Sequence, residues 1–511
     1  MIIPFVLSSS FLALIITFLI RKLFLVNKKT QLLPPAPRKI PIIGHLHHLI
    51  LGNSPPHLAL HRLSEQFRGG GGGLMFLQLG SVPTLVVSTA DAARAIFRDH
   101  DIVFSGRPPL YAGRKISYNC ADVTFSSYGE YWREVRKVLV LELLSAKRAL
   151  GFAAVREAEV GRMIDRIALS CSPTTSIDLS EAAMSLANGV VCRAAFGKRR
   201  DGGEVKFQEI LQETQNLLGE PNLADFFPKL GGWMNKVNGF DSRLEKNCRD
   251  LDRFLNKVME EHLDELDTRP DDDDDDDIVH SLLRIQRSQN GSSVPLTTEN
   301  IKAVLLDVFV AGSDTSASTI VWTMTELMKN PNTMRKAQSE VRQLLKGKQR
   351  VNESDLPNLD YLKMVLKESF RLHPPAPLLV PRETTDNCTV CGYDIPAKTR
   401  VFINAMSIGR DPRTWENPSE FWPERFEDGG VDYRGTHFEL IPFGVGRRGC
   451  PGINFAVPLV ELALANLLYR FDWHLPAGVE DVDMEETFGI TVHKKTPLCL
   501  LASLSPSHTH N

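Results

Sequence analysis

The stretch Phe443-Gly444-Val445-Gly446-Arg447-Arg448-Gly449-Cys450-Pro451-Gly452 decides the fold and the chemistry of this chain. A buried cysteine ionises only where positive potential surrounds its sulfur, because its pKa otherwise rises and it stays a thiol. Two arginines and the start of an apolar helix, predicted over residues 453–469, supply such potential. The glycines permit a tight loop whose backbone N–H groups can point at the sulfur. We therefore predict that Cys450 is held as a thiolate beside a ligand rich in negative charge.

The same ten residues resemble the haem-binding signature of the cytochrome P-450 superfamily, Phe-x-x-Gly-x-Arg-x-Cys-x-Gly. Every fixed position of that signature is filled, whereas a buried cysteine at a helix start would require none of them. The resemblance implies that Cys450 is the axial ligand of the iron of haem b and that Phe443 belongs to the haem site. A thiolate in that position pushes electron density onto the iron and favours O–O cleavage.

The resemblance covers nearly the whole chain. It is greatest to the large plant microsomal clan of specialised metabolism, on the evidence of residues 142–148, 436–444 and 484–489. It implies a mainly α fold with a small β portion, the cytochrome P-450 fold, preceded by one transmembrane helix. Length and composition agree, because 511 residues with 43% hydrophobic content can bury a large core. We predict one catalytic domain over residues 61–504 and a C-terminal tail over 505–511. The net charge of −3 gives no sign of nucleic-acid binding.

The N-terminus predicts the compartment. Residues 2–20 are almost entirely apolar, about the ~20 residues that a helix needs to cross a bilayer. Basic residues follow the span, which keeps the rest of the chain cytosolic. A cleaved signal peptide, the alternative, would carry its charges before the apolar run. We predict a membrane anchor over 1–26, a proline-rich hinge over 27–60, and a single-pass protein of the endoplasmic reticulum. The eight scattered cysteines suit a cytosolic domain without disulfides.

Periodicity places most of the remaining segments in helices. Two biased runs interrupt them: five glycines at 69–73, predicted as a flexible loop, and seven aspartates at 271–277, predicted as a solvated connection. The main predicted helices cover 131–144, 147–169, 243–266, 298–328, 334–345 and 453–469. The predicted strands lie in a hairpin over 74–88, in the regions 378–385 and 400–404, and in the stretch 489–502.

The helix predicted over 298–328 contains Ala311-Gly312-Ser313-Asp314-Thr315-Ser316. A mid-helix glycine costs about 1 kcal/mol relative to alanine, and neighbouring hydroxyls can bond back to the preceding turn. We expect a local distortion that opens room for O2 and a water. The resemblance to the family motif Ala/Gly-Gly-x-Asp/Glu-Thr implies that Thr315 holds the distal water and that Asp314 supplies protons.

Asp307 and Ala311 share the helix face of Thr315. Asp307 either points into the substrate space or bonds to neighbouring helices, and we favour the second.

The resemblance also implies partners for the haem propionates. Trp132 and Arg136 match the family pattern Trp-x-x-x-Arg and lie on one helix face. Arg382 and Arg448 match the other usual propionate partners. A guanidinium suits this task because its planar fork binds carboxylates with two parallel hydrogen bonds. Taken singly, each of these arginines would be interpreted as a surface residue.

Glu368 and Arg371 match the family pattern Glu-x-x-Arg, and Arg425 resembles the residue that completes a Glu-Arg-Arg triad. The resemblance implies a structural role, in which the buried charges lock the loop that carries Cys450. Removal of one partner would strand a buried charge, at a cost of ~3–5 kcal/mol.

Substrate-facing residues are predicted only from their positions relative to the motifs shared with the family. An apolar wall with few hydrogen-bonding groups would select a lipophilic substrate by shape. Each residue taken singly is explained equally well as ordinary core. The candidates are Phe125, Asp307, Ala311, Leu378, Leu379, Val380, Phe488 and Ile490.

The resemblance implies a monooxygenase that uses NADPH and O2 to oxidise a small lipophilic plant metabolite. Its electrons would come from a membrane-bound NADPH–cytochrome P-450 reductase docked on a basic face that includes Arg447, Arg448, Arg136 and Lys137. As the substrate class, we favour terpenoids over alkaloids and phenolics, only because members of this clan commonly oxidise terpenoids. One alternative is a haem-thiolate isomerase or dehydratase that needs no reductase, against which the pair Asp314–Thr315 argues. Another is a non-catalytic anchored binding protein, which would not require the Cys450 loop.

Overall fold

The computed structural model describes residues 32–50, 54–172, 174–197, 204–266, 277–288, 294–487 and 489–505. The predicted anchor, most of the aspartate run, the end of the tail and Phe488 lie outside the described residues. Helices dominate the described part, and the strands form small sheets at its periphery. The prediction of a mainly α fold with a small β portion is therefore confirmed.

The centre of the fold is the helix Thr298–Lys329, here called the central helix. Thr297 caps it, since the hydroxyl accepts from the N–H of Asn300 while the Asn300 side chain accepts from the N–H of Thr297. It packs against Leu179–Phe196 on one side and Ile453–Arg470 on another. The α-helices are His47–Ile50, Pro56–Gly71, Ala90–Asp99, Tyr111–Ile116, Glu130–Lys137, Ala146–Gly151, Ala153–Leu169, Leu179–Phe196, Glu204–Gly219, Gly231–Val237, Phe240–Leu266, Ile278–Ser288, Thr298–Lys329, Pro331–Leu344, Asp360–Leu372, Ala405–Gly409 and Ile453–Arg470.

Two of these helices are long and apolar enough to cross a membrane, the central helix and Ile453–Arg470. In each, 67% of the most apolar window is buried inside the protein. A helix that is apolar all round and covered by protein is a core helix. Both therefore form the scaffold of the catalytic domain.

The largest sheet has four strands in the order Leu74–Leu79, Val82–Val87, Arg400–Ile403 and Arg382–Glu383. Its central pair is parallel and its outer pairs are antiparallel. A second sheet joins Ile177–Asp178, Cys499–Leu504 and Phe471–His474, and Cys388–Val390 forms a hairpin with Tyr393–Ile395.

Several predicted boundaries differ from the structure. The helix predicted over 131–144 is an α-helix only over Glu130–Lys137 and continues as a π-helical turn over Val138–Leu143. The segment 147–169 forms two helices that meet at Phe152. Within 378–385 only Arg382–Glu383 is a strand, and within 489–502 only the part from Cys499 onward is. In the preceding stretch, Val492 and His493 instead form hydrogen bonds to side chains of the central helix.

The described parts of the two biased runs differ from the prediction. The helix Pro56–Gly71 includes three of the five glycines and ends at Gly72, whose φ is 57°. Asp277, the last aspartate of the second run, is buried and caps the helix Ile278–Ser288, since its carboxylate accepts from the N–H of His280 at 2.8 Å. Its other oxygen lies 2.9 Å from His280 Nδ1. These contacts with histidines lower the pKa of Asp277, although burial opposes them.

Residues 32–50, within the predicted hinge, contact the large sheet. The N–H of Phe76 donates to Pro35 O at 3.1 Å, and His45 N donates to Gln78 O at 2.7 Å. The His45 ring in turn accepts from the N–H of Gln78 at 2.7 Å. This part of the segment is thus fixed to the catalytic domain.

Candidate active site

The cysteine loop, residues 443–452, is held by its own backbone. The N–H of Cys450 donates to Phe443 O at 2.9 Å, and Gly452 N–H donates to Cys450 Sγ at 3.3 Å. Gly446 has φ 71°, and a Cβ there would lie 2.5 Å from Asp101 Oδ1. Asp101 occupies that space because it accepts from the N–H of Arg447 at 3.0 Å. Glycine at this position is therefore required both by the turn and by the close approach of Asp101.

The thiol of Cys450 lies deep in the protein, yet its side chain keeps accessible surface that faces interior space. Burial raises its pKa, and the Gly452 N–H and the charge of Arg136 oppose that rise without cancelling it. The prediction that the loop arginines surround the sulfur is wrong. Arg447 points to Asp101 and Arg448 binds main-chain carbonyls, so Arg136 from a separate helix supplies the charge. Full ionisation consequently needs a metal ion on the sulfur, which deprotonates a coordinated thiol.

Four arginines converge beside this loop: Arg107, Arg136, Arg382 and Arg448. Arg448 donates to Ser105 O at 2.9 Å and to Ser126 O at 2.6 Å. Arg382 donates to Val445 O at 2.8 Å. Arg136 donates to Gly449 O, and its guanidinium lies 5.7 Å from the Trp132 ring. The predicted propionate partners are thus gathered at one place.

This cluster carries excess positive charge. Burial, followed by the charges of Arg382 and Arg136, lowers the pKa of Arg448 to about 9. Burial also lowers the pKa of Arg382 to about 10, although Asp101 acts in the opposite direction. Guanidinium groups are otherwise protonated throughout the physiological range. The donor set therefore fits a dianionic group such as the two propionates of haem, whose binding would restore these pKa values.

Trp132 lies in the same cluster, with its ring 4.2 Å from the guanidinium of Arg448. Its indole N–H donates to Val123 O at 3.0 Å, and Arg448 also donates to that carbonyl at 3.1 Å. The aromatic face thus stabilises the cation that points toward the haem site.

Glu368, Arg371 and Arg425 form a compact ion cluster behind the cysteine loop. Arg371 donates to both carboxylate oxygens of Glu368 at 2.7 Å, and Arg425 donates to Oε1 at 3.1 Å. The side chains of Glu368 and Arg371 are completely buried. Arg371 also donates to three carbonyls, those of Gly409, Pro418 and Glu420. Each nitrogen of the Arg371 guanidinium therefore has an acceptor, on Glu368 of the same helix or on a neighbouring segment.

Aromatic rings connect the ion cluster to the cysteine loop. Phe370, next to Arg371 in the chain, packs edge-on against Phe443 with ring centroids 5.1 Å apart. Tyr433 packs on both rings, at 5.3 and 5.5 Å. Trp415 lies 5.3 Å from the guanidinium of Arg371 and 5.9 Å from that of Arg425. A shift of the triad would consequently displace the first residue of the cysteine loop.

The central helix runs through the motif without a break, so the predicted distortion does not interrupt it. Thr315 Oγ1 donates to Ala311 O at 2.7 Å, and Ser316 Oγ donates to Gly312 O at 2.8 Å, as the back-bonding prediction requires. Gly312 serves packing, because a Cβ there would lie 3.2 Å from Val191 of the adjacent helix. Ala311 is exposed to interior space and Thr315 partly so.

Asp314 is buried and paired with a residue that the sequence analysis did not single out. His493 Nε2 lies 2.8 Å from Asp314 Oδ1. Burial by itself would lower the pKa of His493, but the hydrogen bond to Asp314 and its negative charge raise the pKa above its ordinary value. The pair therefore keeps the imidazole protonated to a higher pH than an isolated histidine would reach.

Asp307 neither bonds to neighbouring helices nor stands free in the substrate space. Its carboxylate accepts from the backbone N–H of Val123 at 2.7 Å and of Thr124 at 3.3 Å. Asp122 lies beside it, and burial together with the charge of Asp307 raises the pKa of Asp122 well above its usual range. Asp307 thus fixes the loop before Trp132 to the central helix, because charged acceptors form strong bonds to backbone N–H groups.

A cavity of about 670 Å³ lies over the motif of the central helix. Asp307, Ala311, Phe125, Val380 and Ile490 line it, together with Asp314, Thr315 and His493. Leu378 and Leu379 line a separate, larger cleft, which Ile490 also borders. Most of the wall is apolar, and the helix Glu204–Gly219 adds the carboxamides of Gln212, Gln215 and Asn216 to it.

Sequence reasoning missed two residues of the site. Arg107 binds Val380 O and Pro381 O, which are 273 and 274 positions away, and no local pattern marks it. His493 stands in the stretch 489–502, which is predicted as strand, and no local pattern marks it.

The arrangement defines a haem-thiolate site: a cysteine loop, a cluster of cations for propionates, and an acid and a hydroxyl on the opposite helix. Comparison with known proteins agrees. The family model for Cytochrome P450 matches residues 34–501. Strychnine-11-hydroxylase of Strychnos nux-vomica is 54% identical over 492 residues, 95% of this chain and 94% of that protein. Tryptamine 5-hydroxylase of Oryza sativa subsp. japonica is 45% identical over 489 residues, 94% of this chain and 92% of that protein.

Solved structures show the same fold. A zebra fish cytochrome P450 with abiraterone has a TM-score of 0.75 at 24% identity and covers 89% of this chain and all of its own. A zebra fish cytochrome P450 with progesterone has a TM-score of 0.76 at 25% identity and covers 88% of this chain and all of its own. The chain belongs to the cytochrome P450 family, and it is most similar to plant members of that family. The predicted family, fold and enzyme class are confirmed.

Cytochromes P450 are haem-thiolate monooxygenases that use haem b and O2 with electrons from NADPH through a reductase. When bound, the haem supplies the one-electron and O2 chemistry. The residues of this chain would hold it through Cys450 and the arginine cluster. Thr315 and Asp314 place a hydroxyl and a carboxylate at the cavity, where they can hold a water and pass a proton.

Proposed function

We propose that this protein hydroxylates a small, nitrogen-containing plant metabolite of the alkaloid type. The observation that carries the proposal is the cavity of about 670 Å³ above Ala311 and Thr315, which is large enough for a polycyclic molecule. One part of its wall is apolar, with Phe125, Val380 and Ile490. Another part offers the carboxamides Gln212, Gln215 and Asn216.

Gln212 Nε2 donates to Asn216 Oδ1 at 3.3 Å, and the carboxamides of this wall can also form hydrogen bonds to a substrate that has polar atoms of its own. This differs from the terpenoid preference, which rested on the habit of the clan alone. The names of two relatives, strychnine-11-hydroxylase and tryptamine 5-hydroxylase, point in the same direction. Both are hydroxylases, so they do not favour the isomerase or dehydratase alternative.

We further propose that a membrane-bound NADPH–cytochrome P450 reductase supplies the electrons and that residues 1–26 anchor the protein in the endoplasmic reticulum. Of the basic residues expected at the docking face, Arg447 and Lys137 are exposed. Arg136 and Arg448 are directed into the haem site. The docking face therefore depends on Arg447 and Lys137, with Arg133 exposed next to them on the helix Glu130–Lys137.

Yeast microsomes that contain this chain and a plant reductase provide the test. A panel of alkaloids, terpenoids and phenolics is incubated with NADPH and analysed by mass spectrometry for products heavier by one oxygen atom. Cys450→Ala microsomes are the control for background oxidation. We expect hydroxylated alkaloids that require NADPH. Turnover of terpenoids alone would refute the substrate class, and product formation without NADPH would support the isomerase or dehydratase.

A further inference from the structure

The C-terminal segment around His493 lies against one face of the central helix. Asp314, Ser318 and Trp322 are spaced by four residues and so share that face. Ser318 Oγ donates to Val492 O at 2.8 Å, and the indole N–H of Trp322 donates to the same carbonyl at 3.1 Å. Asp314 binds the next residue, His493. Three successive turns of the helix thereby fix the position of this histidine.

The segment is also braced from its other side. Val492 N–H donates to Pro375 O at 2.9 Å, and the N–H of Thr487 donates to His493 O at 2.9 Å. The backbone of His493 is therefore held independently of its ring. The imidazole can change its protonation without loss of the contacts that position it.

The two members of the pair differ in access to solvent. The side chain of His493 is 34% exposed, and that of Asp314 is 8% exposed. Both line the cavity that holds Thr315. His493 is therefore the more accessible member of the pair.

We propose that His493 is the proton-relay partner of Asp314: it positions the carboxylate and passes protons from solvent to it. This inference rests on the proposed role of Asp314 in supplying protons at Thr315. In the step, the Nε2–H bond of the imidazolium breaks as an O–H bond forms on Asp314 Oδ1. A hydronium ion from solvent then returns a proton to the imidazole, and the O–H bond of Asp314 breaks as its proton passes to a water beside Thr315. No oxidant or reductant takes part.

Asp314 is the charged group that acts on His493 among the described residues. The other charges of the segment are engaged elsewhere: Lys494 binds Asp483 O, Lys495 pairs with Glu485, and Glu486 pairs with His57. Glu220, which follows the helix Glu204–Gly219, pairs with Arg243 at 2.9 Å. The relay should therefore depend on pH through the Asp314–His493 pair. Since Asp314 raises the pKa of His493, the charged form of His493 is lost as the pH rises through that raised pKa.

The test compares the full-length enzyme with His493→Gln, which keeps a hydrogen bond but carries no proton to relay, and with His474→Gln, an exposed histidine on another strand. The first measurement is histidine NMR of the ferrous carbonyl form across pH. The resonance of His493, identified by its absence from His493→Gln, should titrate with a pKa above the ordinary value for histidine. In Asp314→Asn the pKa of His493 should be lower than in the wild type. A midpoint that does not move between the wild type and Asp314→Asn would overturn the pairing.

The second measurement is NADPH oxidation with reductase, together with the hydrogen peroxide released per NADPH. Neither quantity requires a known substrate, so a wrong substrate class leaves this test intact. We expect His493→Gln to slow oxidation roughly tenfold, a fraction of the usual general-acid contribution, and to raise the peroxide share. The wild-type rate should decline as the pH rises through the His493 midpoint, and the variant should lack that decline. His474→Gln should match the wild type.

His493→Lys controls for an effect on folding, because it keeps a positive charge that does not titrate near neutrality. It should load haem, as shown by the reduced-carbonyl absorbance, and lack the pH dependence. Equal rates, peroxide shares and pH profiles in the wild type and His493→Gln would refute the relay.

Discussion

The two sides of the haem site are built differently. Behind the cysteine loop, the proximal side consists of Glu368, Arg371 and Arg425 with their carbonyl partners, all buried and mutually paired. Over the central helix, the distal side consists of the pairs Asp314–His493 and Asp307–Asp122 beside an open cavity. On the proximal side, each charged side chain is paired with an opposite charge in one fixed geometry. The distal side leaves groups whose protonation can change, as catalysis of proton transfer demands.

This contrast indicates how the protein separates stability from chemistry. Proximal charges are placed where a lost partner is most costly, so they fix the cysteine loop. Distal charges face solvent or each other, where burial shifts their pKa values without locking them. Substitutions on the proximal side should therefore affect folding and haem retention, and distal substitutions should affect turnover.

The largest effect is expected for Glu368→Gln. The variant leaves two buried guanidinium groups without their carboxylate, which costs ~3–5 kcal/mol. We expect expressed protein with little haem, measured by the reduced-carbonyl absorbance. Glu424→Gln, which removes a partly exposed carboxylate paired with Lys336, is the matched control and should retain haem. Normal haem loading in Glu368→Gln would refute the structural role of the triad.

The second prediction concerns a carboxylate on the proximal side that lacks such a complete set of partners. Glu461 lies on the helix that follows Cys450, and burial raises its pKa to about 7, against the weaker effects of Lys363 and Arg434. A raised native pKa stabilises the fold below the unfolded pKa and loses that contribution as the pH rises through about 7. Glu461→Gln should thus be more stable than the wild type above pH 7, by at most about 3 kcal/mol.

Thermal unfolding of the two proteins at pH 5 and pH 8 checks this. The two proteins should unfold at similar temperatures at pH 5, and Glu461→Gln should unfold at the higher temperature at pH 8. Glu480→Gln, at an exposed position, should show no such change with pH. A variant that is less stable than the wild type at pH 8 would show that ionised Glu461 has a stabilising partner.

The same contrast explains what the sequence could predict. The proximal side is encoded in short, contiguous patterns, such as 443–452 and Glu368-x-x-Arg371, and the structure brings those residues together at the places expected. The distal side depends on contacts between distant segments. His493 reaches Asp314 across 179 positions, and Arg107 reaches Val380 across 273, so no local pattern could predict either. Strand ends were wrong for a related reason, because side chains of the central helix take the hydrogen bonds of Val492 that a sheet would otherwise use.

A distal substitution should have a smaller effect on stability and a clear effect on binding. Asp307→Asn removes the charge that accepts from Val123 and Thr124, and hydrogen bonds to a charged acceptor contribute about 1.5–3 kcal/mol. We expect normal haem content and about tenfold weaker binding of the alkaloids that are turned over, measured by the shift of the haem absorbance. Asp250→Asn, on the surface of the helix Phe240–Leu266, should leave binding unchanged. Loss of haem from Asp307→Asn would mean that Asp307 is required for haem retention, as the proximal residues are. The proposed difference between the two sides of the site would then not hold.

The smallest effect is expected on the outer surface of the proximal side. Arg447 is 46% exposed and lies 3.5 Å from Asp101, so its substitution should alter docking more than folding. Because rim charges act mainly on association rates, Arg447→Glu should slow reductase-driven turnover several-fold at low salt and less at high salt.

Peroxide-driven turnover needs no reductase and should be unchanged. The reductase-driven rate of Arg447→Gln should lie between those of the wild type and Arg447→Glu. Arg253→Glu, which reverses an exposed charge on another helix, should affect neither reaction. Equal losses in both reactions would mean that Arg447 acts on the cysteine loop through Asp101, and the rigid proximal network would then extend to the surface.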